Sequence, residues 1–574
     1  LDETYDRILS GIAQERREYA QRLFQCISVS IRPLRVEELA EVLAIQFDEG
    51  ALPEYDADWR PENSEEDVLS VCSSLISIVD VGGSRVVQFS HFSVQEYLSS
   101  KRLADAGHHL SQYHLLPHSA HTTLAQASLS VLLALDAKVD KDMMKKIPLA
   151  NYAARYWVDH AQLENVSSSI KDAMGRLFDP AMPHFATWVW MYDIDDPFRE
   201  SMFAARPTPP KAVPLYYATL CGLRDPVEHL IYACPQDINA RGGYHGTPLH
   251  AAIAKRNVDV MQLLLAHGAD VTALDDAGST PLHEASWGGR LMMMELLLDR
   301  NVDVNAQDDI GRTPLHLASR GGELGIAWAL LQHGALPDSR NVGHRTPLHI
   351  ASMNGHPDVV QLLLRSGASV DSKIDDDRTA LQLASHNGHL DVVRLLLQNG
   401  AAVDSQDNDG STALHLASQD GYMDVVNLLL QSGAVAGTQD NDGWTPLHVA
   451  CQHGHLDAIR LLLRSGAAVD PQDNDGWTPL HSTSSNGLLD VARLLLQSGA
   501  VVDTQDNDGW TPLGSASHHG HLDVARLLLQ SGAVVDTQAN GGWTPLHSAS
   551  HDGHLDVARL LLQSGAVVDA QDNN

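Results

Sequence analysis

Positive charge is scarce in this chain. Its 574 residues carry 39 Lys and Arg against 73 Asp and Glu, a formal net charge of −34 with histidine neutral. No basic field attracts phosphate, which argues against nucleic acid and anionic membranes as partners, and the charge keeps an elongated molecule in solution. Cysteine is scarce too. The five (Cys26, Cys72, Cys221, Cys234, Cys451) are scattered, odd in number and without a CxxC pair, which fits a reducing compartment, so a cytoplasmic location is expected. No apolar run approaches the roughly 18 residues of a membrane span. The sequence opens at Leu1, without Met and inside a helical pattern, so a piece of a longer chain is expected. The sequon Asn165-Val166-Ser167 is read as chance. Chemistry is missing as well. There is no GxxxxGK[ST] loop with a downstream acidic Mg²⁺ motif, and no Ser/His/Asp, Cys/His or paired-carboxylate set stands outside periodic positions. The expectation is no catalytic residue and no enzyme acting alone.

What is abundant is repetition. Thr247, Thr280, Thr313, Thr346, Thr379, Thr412, Thr445, Thr478, Thr511 and Thr544 are each 33 residues apart, and seven of the ten open Thr-Pro-Leu-His. A further unit from Val213-Pro214-Leu215-Tyr216 makes eleven. Internal periodicity of this length means stacked units. Within one unit Thr445 is placed to cap a helix that starts at Pro446, and Leu447, Ala450 and Cys451 line its inner face. Gly454 ends that helix, Asp457 suits the start of the second, and Leu461, Leu462 and Leu463 supply its apolar stripe. Gly466 closes it, and Asp473-Asn474-Asp475-Gly476 makes a tight reversal. Neither helix can bury its apolar face alone, so neighbouring units must stack.

This pattern resembles the ankyrin repeat over residues 213–574. The resemblance implies a mostly α fold: a solenoid of about eleven repeats, with fingers and first helices on a concave side that takes a protein ligand. At about 8–10 Å per unit such a stack spans roughly 100 Å. The sequence stops at Asn574 as another finger would begin, without a polar cap, so a longer array is expected.

The 31 histidines invite a metal hypothesis. Many occupy fixed positions: His250, His283, His316, His349, His415, His448, His481 and His547 after Thr-Pro-Leu or Thr-Ala-Leu, and His389, His455, His521 and His554 after the helix-ending glycine. Same-position imidazoles in adjacent units lie about a helix spacing apart, too far to share one metal with bonds of about 2 Å. Hydrogen bonding to backbone between units is the expected role, and no metal site is expected. Gln382 and Gly514 read as losses that the position tolerates.

Tryptophan is the more informative letter. Trp444, Trp477, Trp510 and Trp543 precede the repeat threonine, where earlier units carry Gly246, Ser279, Arg312, Arg345, Arg378 and Ser411. In ankyrin arrays that position usually faces the binding surface. Two readings stay open: a row of aromatic anchors for a partner, or rings packed on the next finger. Lys255, Trp287, Arg320, Met353 and His386, at the ends of first helices, vary from unit to unit as a reading surface would.

The front third differs. Residues 1–30 are helical in period, a second helix runs from Arg32-Pro33 through Leu43, and a third from Asp67 to about Ile76. Ile76–Asp80 and Arg85–Phe89 around Val81-Gly82-Gly83-Ser84 read as a hairpin. Three helices and a hairpin make a winged-helix domain, placed at 1–104. Its third helix is led by Glu65, Glu66 and Asp67, which would repel DNA. Ser93 and Glu96 then have capping-box spacing, with His91 just ahead, where an anion could bind.

The stretches LDETYDRIL, RPLRVEEL and FSHFSVQEYL are similar to the region that follows the nucleotide-binding core of fungal NACHT–ankyrin proteins, of the NOD-like receptor (STAND NTPase) type. That resemblance implies that His91 contacts the β-phosphate of ADP held by a core outside this chain, with ADP or ATP the cofactor of that core alone. It also implies a cytosolic sensor in nonself recognition or cell death that oligomerises with nucleotide. The plain alternative is that His91 merely enters a helix. Residues 105–205 resemble the helical connector of the same family, with helices at His121 to Leu135, Pro148 to Trp157 and Ser167 to Phe178. A boundary is placed in Arg206-Pro207-Thr208-Pro209-Pro210, before the array at 213–574. Two functions follow: the recognition part of such a sensor, or an ankyrin adaptor with an N-terminal docking domain and no nucleotide switch.

Overall fold

The computed structural model describes residues 2–47, 53–56, 63–136, 138–163, 165–196 and 209–569. It divides into two compact units, Leu1–Ala285 with Asp299–Val302, and Ser286–Leu298 with Asp303–Asn574.

The first unit opens with α1 (Asp2–Ser10) and α2 (Arg17–Val29), then α3 (Val36–Val42). The helical period over residues 1–30 is therefore two helices. Gly11 turns its amide back onto the Arg7 and Ile8 carbonyls, and the chain restarts through a short turn at Gln14–Arg16. At the start of α3, Glu38 is fully buried yet satisfied: it accepts from the Arg35 amide at 2.8 Å and from both Arg32 nitrogens at 2.6 and 2.7 Å. A short pair, β1 (Ile45–Gln46) with β2 (Glu54–Tyr55), follows.

Helix α4 runs Ser64–Cys72, not 67–76. Asn63 caps it, so Glu65, Glu66 and Asp67 occupy its first turn, where the helix dipole favours carboxylates. Beyond Cys72, the β-branched Ile76, Ile78 and Val79 favour strand β3 (Ile76–Val81), paired with β4 (Ser84–Phe89). The two-residue loop needs positive φ twice, which Gly82 (60°) and Gly83 (82°) supply. The wing is tied back to the helices by the Val87 amide on the Leu34 carbonyl at 2.9 Å. Leu9, Leu23, Phe24, Leu39, Val68, Val87 and Leu98 fill the core beneath it.

The helical stretch after the wing contains Pro117–Ala134, Leu149–Ala161, Lys171–Leu177 and His184–Met191. The first begins at Pro117, four residues before the sequence reading placed it, because proline suits the first helical turn. A cluster of Trp157, Phe178, Phe185 and Trp188 joins it to the first repeat through Tyr217, whose ring lies 5.4 Å from that of Phe185. Nearby is a buried relay. The Tyr152 hydroxyl meets His160 Nε2 at 3.0 Å, and His160 Nδ1 meets His121 Nδ1 at 2.8 Å. Burial pushes His160 down to about 4, so the pair is held neutral. Arg206–Thr208 of the expected boundary lie outside the described residues.

From Pro214 onward the described residues hold eleven successive helix pairs, the first Pro214–Leu220 with Arg224–Ala233, the last Pro545–His551 with Leu555–Gln563. The eighth pair shows the logic. Pro446–His453 ends at Gly454, with φ 78°. Leu456–Arg464 then buries Ala458, Ile459 and Leu462. The leucine triplet is thus only partly core: Leu461 and Leu463 are half-buried, since successive helical side chains point about 100° apart. Among the described residues no helix is long and apolar enough to cross a membrane.

Candidate protein-binding surface

Each finger is shaped by its first aspartate. The Asp440 carboxylate accepts from the Asp442 and Trp444 amides at 3.0 and 2.8 Å, while the Asp440 amide and Trp444 carbonyl close the hairpin at 2.9 Å. Gly443 at the tip has φ 82°. The remaining polar letters reach into the neighbouring finger. Asn441 Nδ2 donates to the Asn408 carbonyl at 2.8 Å, Asn474 to that of Asn441, Asn507 to that of Asn474 and Asn540 to that of Asn507. Gln439 donates to the Gln472 carbonyl at 3.0 Å, and the Asp404 carboxylate accepts from the Val435 amide at 3.1 Å. These ladders escaped the sequence reading, which took Asp-Asn-Asp-Gly only as a turn. The visible signal was that Asn and Gln recur at positions where a turn alone does not require them.

The histidines run two further ladders. Thr445 N–H donates to His448 Nδ1 at 3.1 Å, so the ring proton sits on Nε2 and is donated to the Trp477 carbonyl of the next unit at 3.1 Å. His415 and His481 repeat this on Trp444 and Trp510. The second set points the other way: His455 Nε2 donates to the Gln419 carbonyl of the preceding unit at 2.9 Å, and His521 to that of Ser485. Burial, partly offset by the bond to the carbonyl, lowers the first set: His250 and His349 fall to about 4, and His415, His448 and His481 shift the same way. Among the described residues no group of three or more His, Cys, Asp or Glu is arranged to hold a metal ion.

Gln382 corrects the sequence reading. Its Oε1 accepts from the Thr379 amide at 2.8 Å and its Nε2 donates to the Ser411 carbonyl at 2.7 Å. The amide spans the same two partners as an imidazole, so nothing is lost there. Gly514 is the true loss, and Trp510 fills it: a Cβ built on Gly514 would stand 2.8 Å from Trp510 Cε3. Where histidine is present the ring instead leans on it, with Trp444–His448 and Trp477–His481 centroids 6.0 and 5.9 Å apart. Gly514→His is therefore expected to displace the indole to that second position and add the missing inter-unit bond. Urea denaturation should show a gain of about 1 kcal/mol; a loss would mean the indole cannot give way.

All four tryptophans are half-buried, each against a histidine of its own unit. They neither vanish into the core nor stand free.

The family model for ankyrin repeats (three copies) matches residues 215–308, 300–374, 370–440, 432–506 and 499–572. The chain belongs to the ankyrin-repeat family. Ahead of the ankyrin repeats, the model for the GPI inositol-deacylase winged helix domain matches residues 5–107, in agreement with the hairpin and helices above. The azaphilone pigments biosynthesis cluster protein L of Monascus ruber is 31% identical over 285 residues, which is 47% of this chain and 59% of that relative's length.

Within the ankyrin array the other candidate residues differ in availability. Arg312 is bound to Asp308 of its own finger at 2.7 Å, and Arg378 reaches the buried Asp407 of the next finger at 3.1 Å, so both brace the array. Arg345 is exposed, with no ion pair among the described residues. Trp287 and Arg320, of adjacent ankyrin repeats, are exposed and stack at 4.8 Å. Met353 is half-buried, and His386 lies 3.5 Å from Asp420. Lys255, at the end of the first helix of the second pair, is exposed.

His91 is placed differently from expectation. It is itself the N-cap of α5 (Phe92–Leu98), its Nδ1 accepting from the Ser93 amide at 3.2 Å, so the Ser93–Glu96 capping box does not form. The Ser93 hydroxyl is held between His91 and the Tyr5 hydroxyl, each at 2.7 Å. His91 remains exposed, its ring 4.3 Å from that of Phe92, which is 69% exposed.

Proposed function

We propose that this chain is the recognition part of a cytoplasmic signal-transducing sensor of the STAND type. Its eleven ankyrin units, from residue 213, take a protein ligand across fingers and first helices. The winged helix (1–104) and helical connector (105–205) relay occupancy to a nucleotide-binding core elsewhere in the whole protein. The observation that carries the recognition role is the tryptophan row: four half-exposed indoles recur at one position of successive fingers. Large aromatic rings held in place bind at small entropic cost.

The relay rests on the likeness of FSHFSVQEYL to the NACHT–ankyrin class. His91 fits a restrained role there. Its Nδ1 is committed to the cap, which leaves Nε2 as the ring nitrogen that can donate to a diphosphate, and the core would supply the rest. Ligand and ADP would bias a two-state element from its two ends, with oligomerisation as its output.

Replacing Trp444, Trp477, Trp510 and Trp543 together by Ser is expected to abolish retention of partner proteins from a cell extract by the molecules that remain folded. A lower melting temperature with binding per folded molecule intact would make the rings structural. For the relay, His91→Ala in the whole protein should loosen the requirement for ATP and ligand in oligomerisation. Unchanged nucleotide affinity and activation would remove His91 from the switch.

A further inference from the structure

The repeats provide their own internal standard for what a second helix needs. In nearly every unit its second residue is Asp and the residue three further on is polar: Asp358 and Gln361, Asp391 and Arg394, Asp424 and Asn427, Asp457 and Arg460, Asp490 and Arg493, Asp523 and Arg526, Asp556 and Arg559. Where the pair is Asp and Arg it can close on itself, as Asp457 and Arg460 do at 3.0 Å. Two adjacent helices abandon the rule. Leu291–Leu298 carries Met292 and Glu295 at these positions, and Leu324–Gln332 carries Gly325 and Trp328.

The result is an apolar strip on the second helices, distinct from the fingers and first helices that hold the tryptophan row. Met292 is 64% exposed, Trp328 55% and Leu324 44%. Between the two helices lies a groove of about 350 Å³, lined by Leu291, Glu295, Leu324, Gly325, Trp328 and Ala329. Gly325 leaves its floor open where Asp stands in the other units. Glu295 is an exposed carboxylate on its wall, with no ion pair among the described residues.

We propose that this groove docks an amphipathic helix of a partner protein, basic along one edge. A groove between neighbouring helices accepts the ridge of a third. Leu291, Leu324 and Met292 match its apolar face. The face of Trp328 and the carboxylate of Glu295 together suit an Arg or Lys whose stem lies along the leucines. The charge of −34 favours a basic partner and opposes both a second copy of this chain and an anionic membrane.

The test uses an 18-residue helical peptide of Leu and Arg in amphipathic spacing, with the same peptide carrying Glu for Arg as control. The receptor is the whole chain or its double variant Gly325→Asp/Trp328→Arg, which restores the array's own second-helix pair. That exchange leaves the net charge unaltered, so non-specific attraction is the same in both. The expected result is binding of the Arg peptide to the wild-type chain at least about ten-fold tighter than to the variant, at equal melting temperature. Glu295→Gln should weaken the Arg peptide alone, and the four-Trp variant should leave it unaffected. Equal binding to wild type and double variant, or equal binding of the Glu peptide, overturns the proposal. So does a wild-type dimer that the double variant disperses, which would assign the groove to a second copy. Binding to neutral lipid vesicles that the double variant loses would assign it to lipid.

Discussion

Lowering the pH from 7 to about 4.5 is expected to destabilise residues 303–569 enough to bring their melting temperature down by 5–10 °C or more. His349 is held neutral, its Nδ1 accepting from the Thr346 amide and its Nε2 donating to the Ser372 carbonyl. Protonation would set an N–H against an N–H in a buried position. Its folded-state value is about 4, against 6.5 in an unfolded chain. Between those values the unfolded state binds the extra proton and the folded state does not. Stability is therefore complete above pH 6.5 and is lost as pH falls towards 4. His349 alone contributes on the order of 3 kcal/mol of this loss, or about 5–10 °C at this size. His415, His448 and His481, lowered by the same burial, act in the same direction. Replacing all four by Gln should flatten the profile measured by circular dichroism. Acid also relieves repulsion among the many carboxylates, so the Gln variant is expected to hold or gain stability where the natural chain loses it. A flat profile in the natural chain would refute the neutral buried histidine.

The second large effect separates size from hydrogen bonding at one position. His448→Ala strips the Thr445 amide of its acceptor and the Trp477 carbonyl of its donor, and leaves a cavity between two units. Its cost is expected at about 3–4 kcal/mol. Because each unit contacts only its neighbours, the array should then unfold in two steps, either side of that interface. His448→Gln should cost less than about 1 kcal/mol, since Gln382 makes both bonds in its own unit. Urea denaturation followed by tryptophan emission distinguishes a split transition from a single shifted one. A single, barely shifted transition for the alanine variant would show that the imidazole contributes little.

Much of this fold was legible because its information is local. The period of 33, the threonine cap, the proline start and the closing glycines each act within a few residues. The wing was readable from Gly82-Gly83 for the same reason. What escaped depended on neighbours far along the chain. Gln382 looked like a loss because its second partner, the Ser411 carbonyl, lies 29 residues on. Gly514 looked like a gap because nothing in the sequence says that Trp510 turns over it. The cap of α5 went to His91 instead of Ser93 because Ser93 is drawn to Tyr5, 88 residues away. Arg312 and Arg378 read as surface letters until their aspartates were in view. The apolar second helices were visible in Met292 and Trp328 all along, but only against the internal standard set by the other units.

The ladders tie together residues a fixed number of positions apart. The His448 bond spans 29, the Val435 bond 31, the Gln439 bond 33 and the His455 bond 36. Copying or deleting one whole 33-residue unit among the near-identical ones would therefore hand every donor an equivalent acceptor, with no new interface to invent. Length can change by whole units while the joints stay the same, so the extent of the surface offered to a ligand is a quantity that duplication alone can adjust.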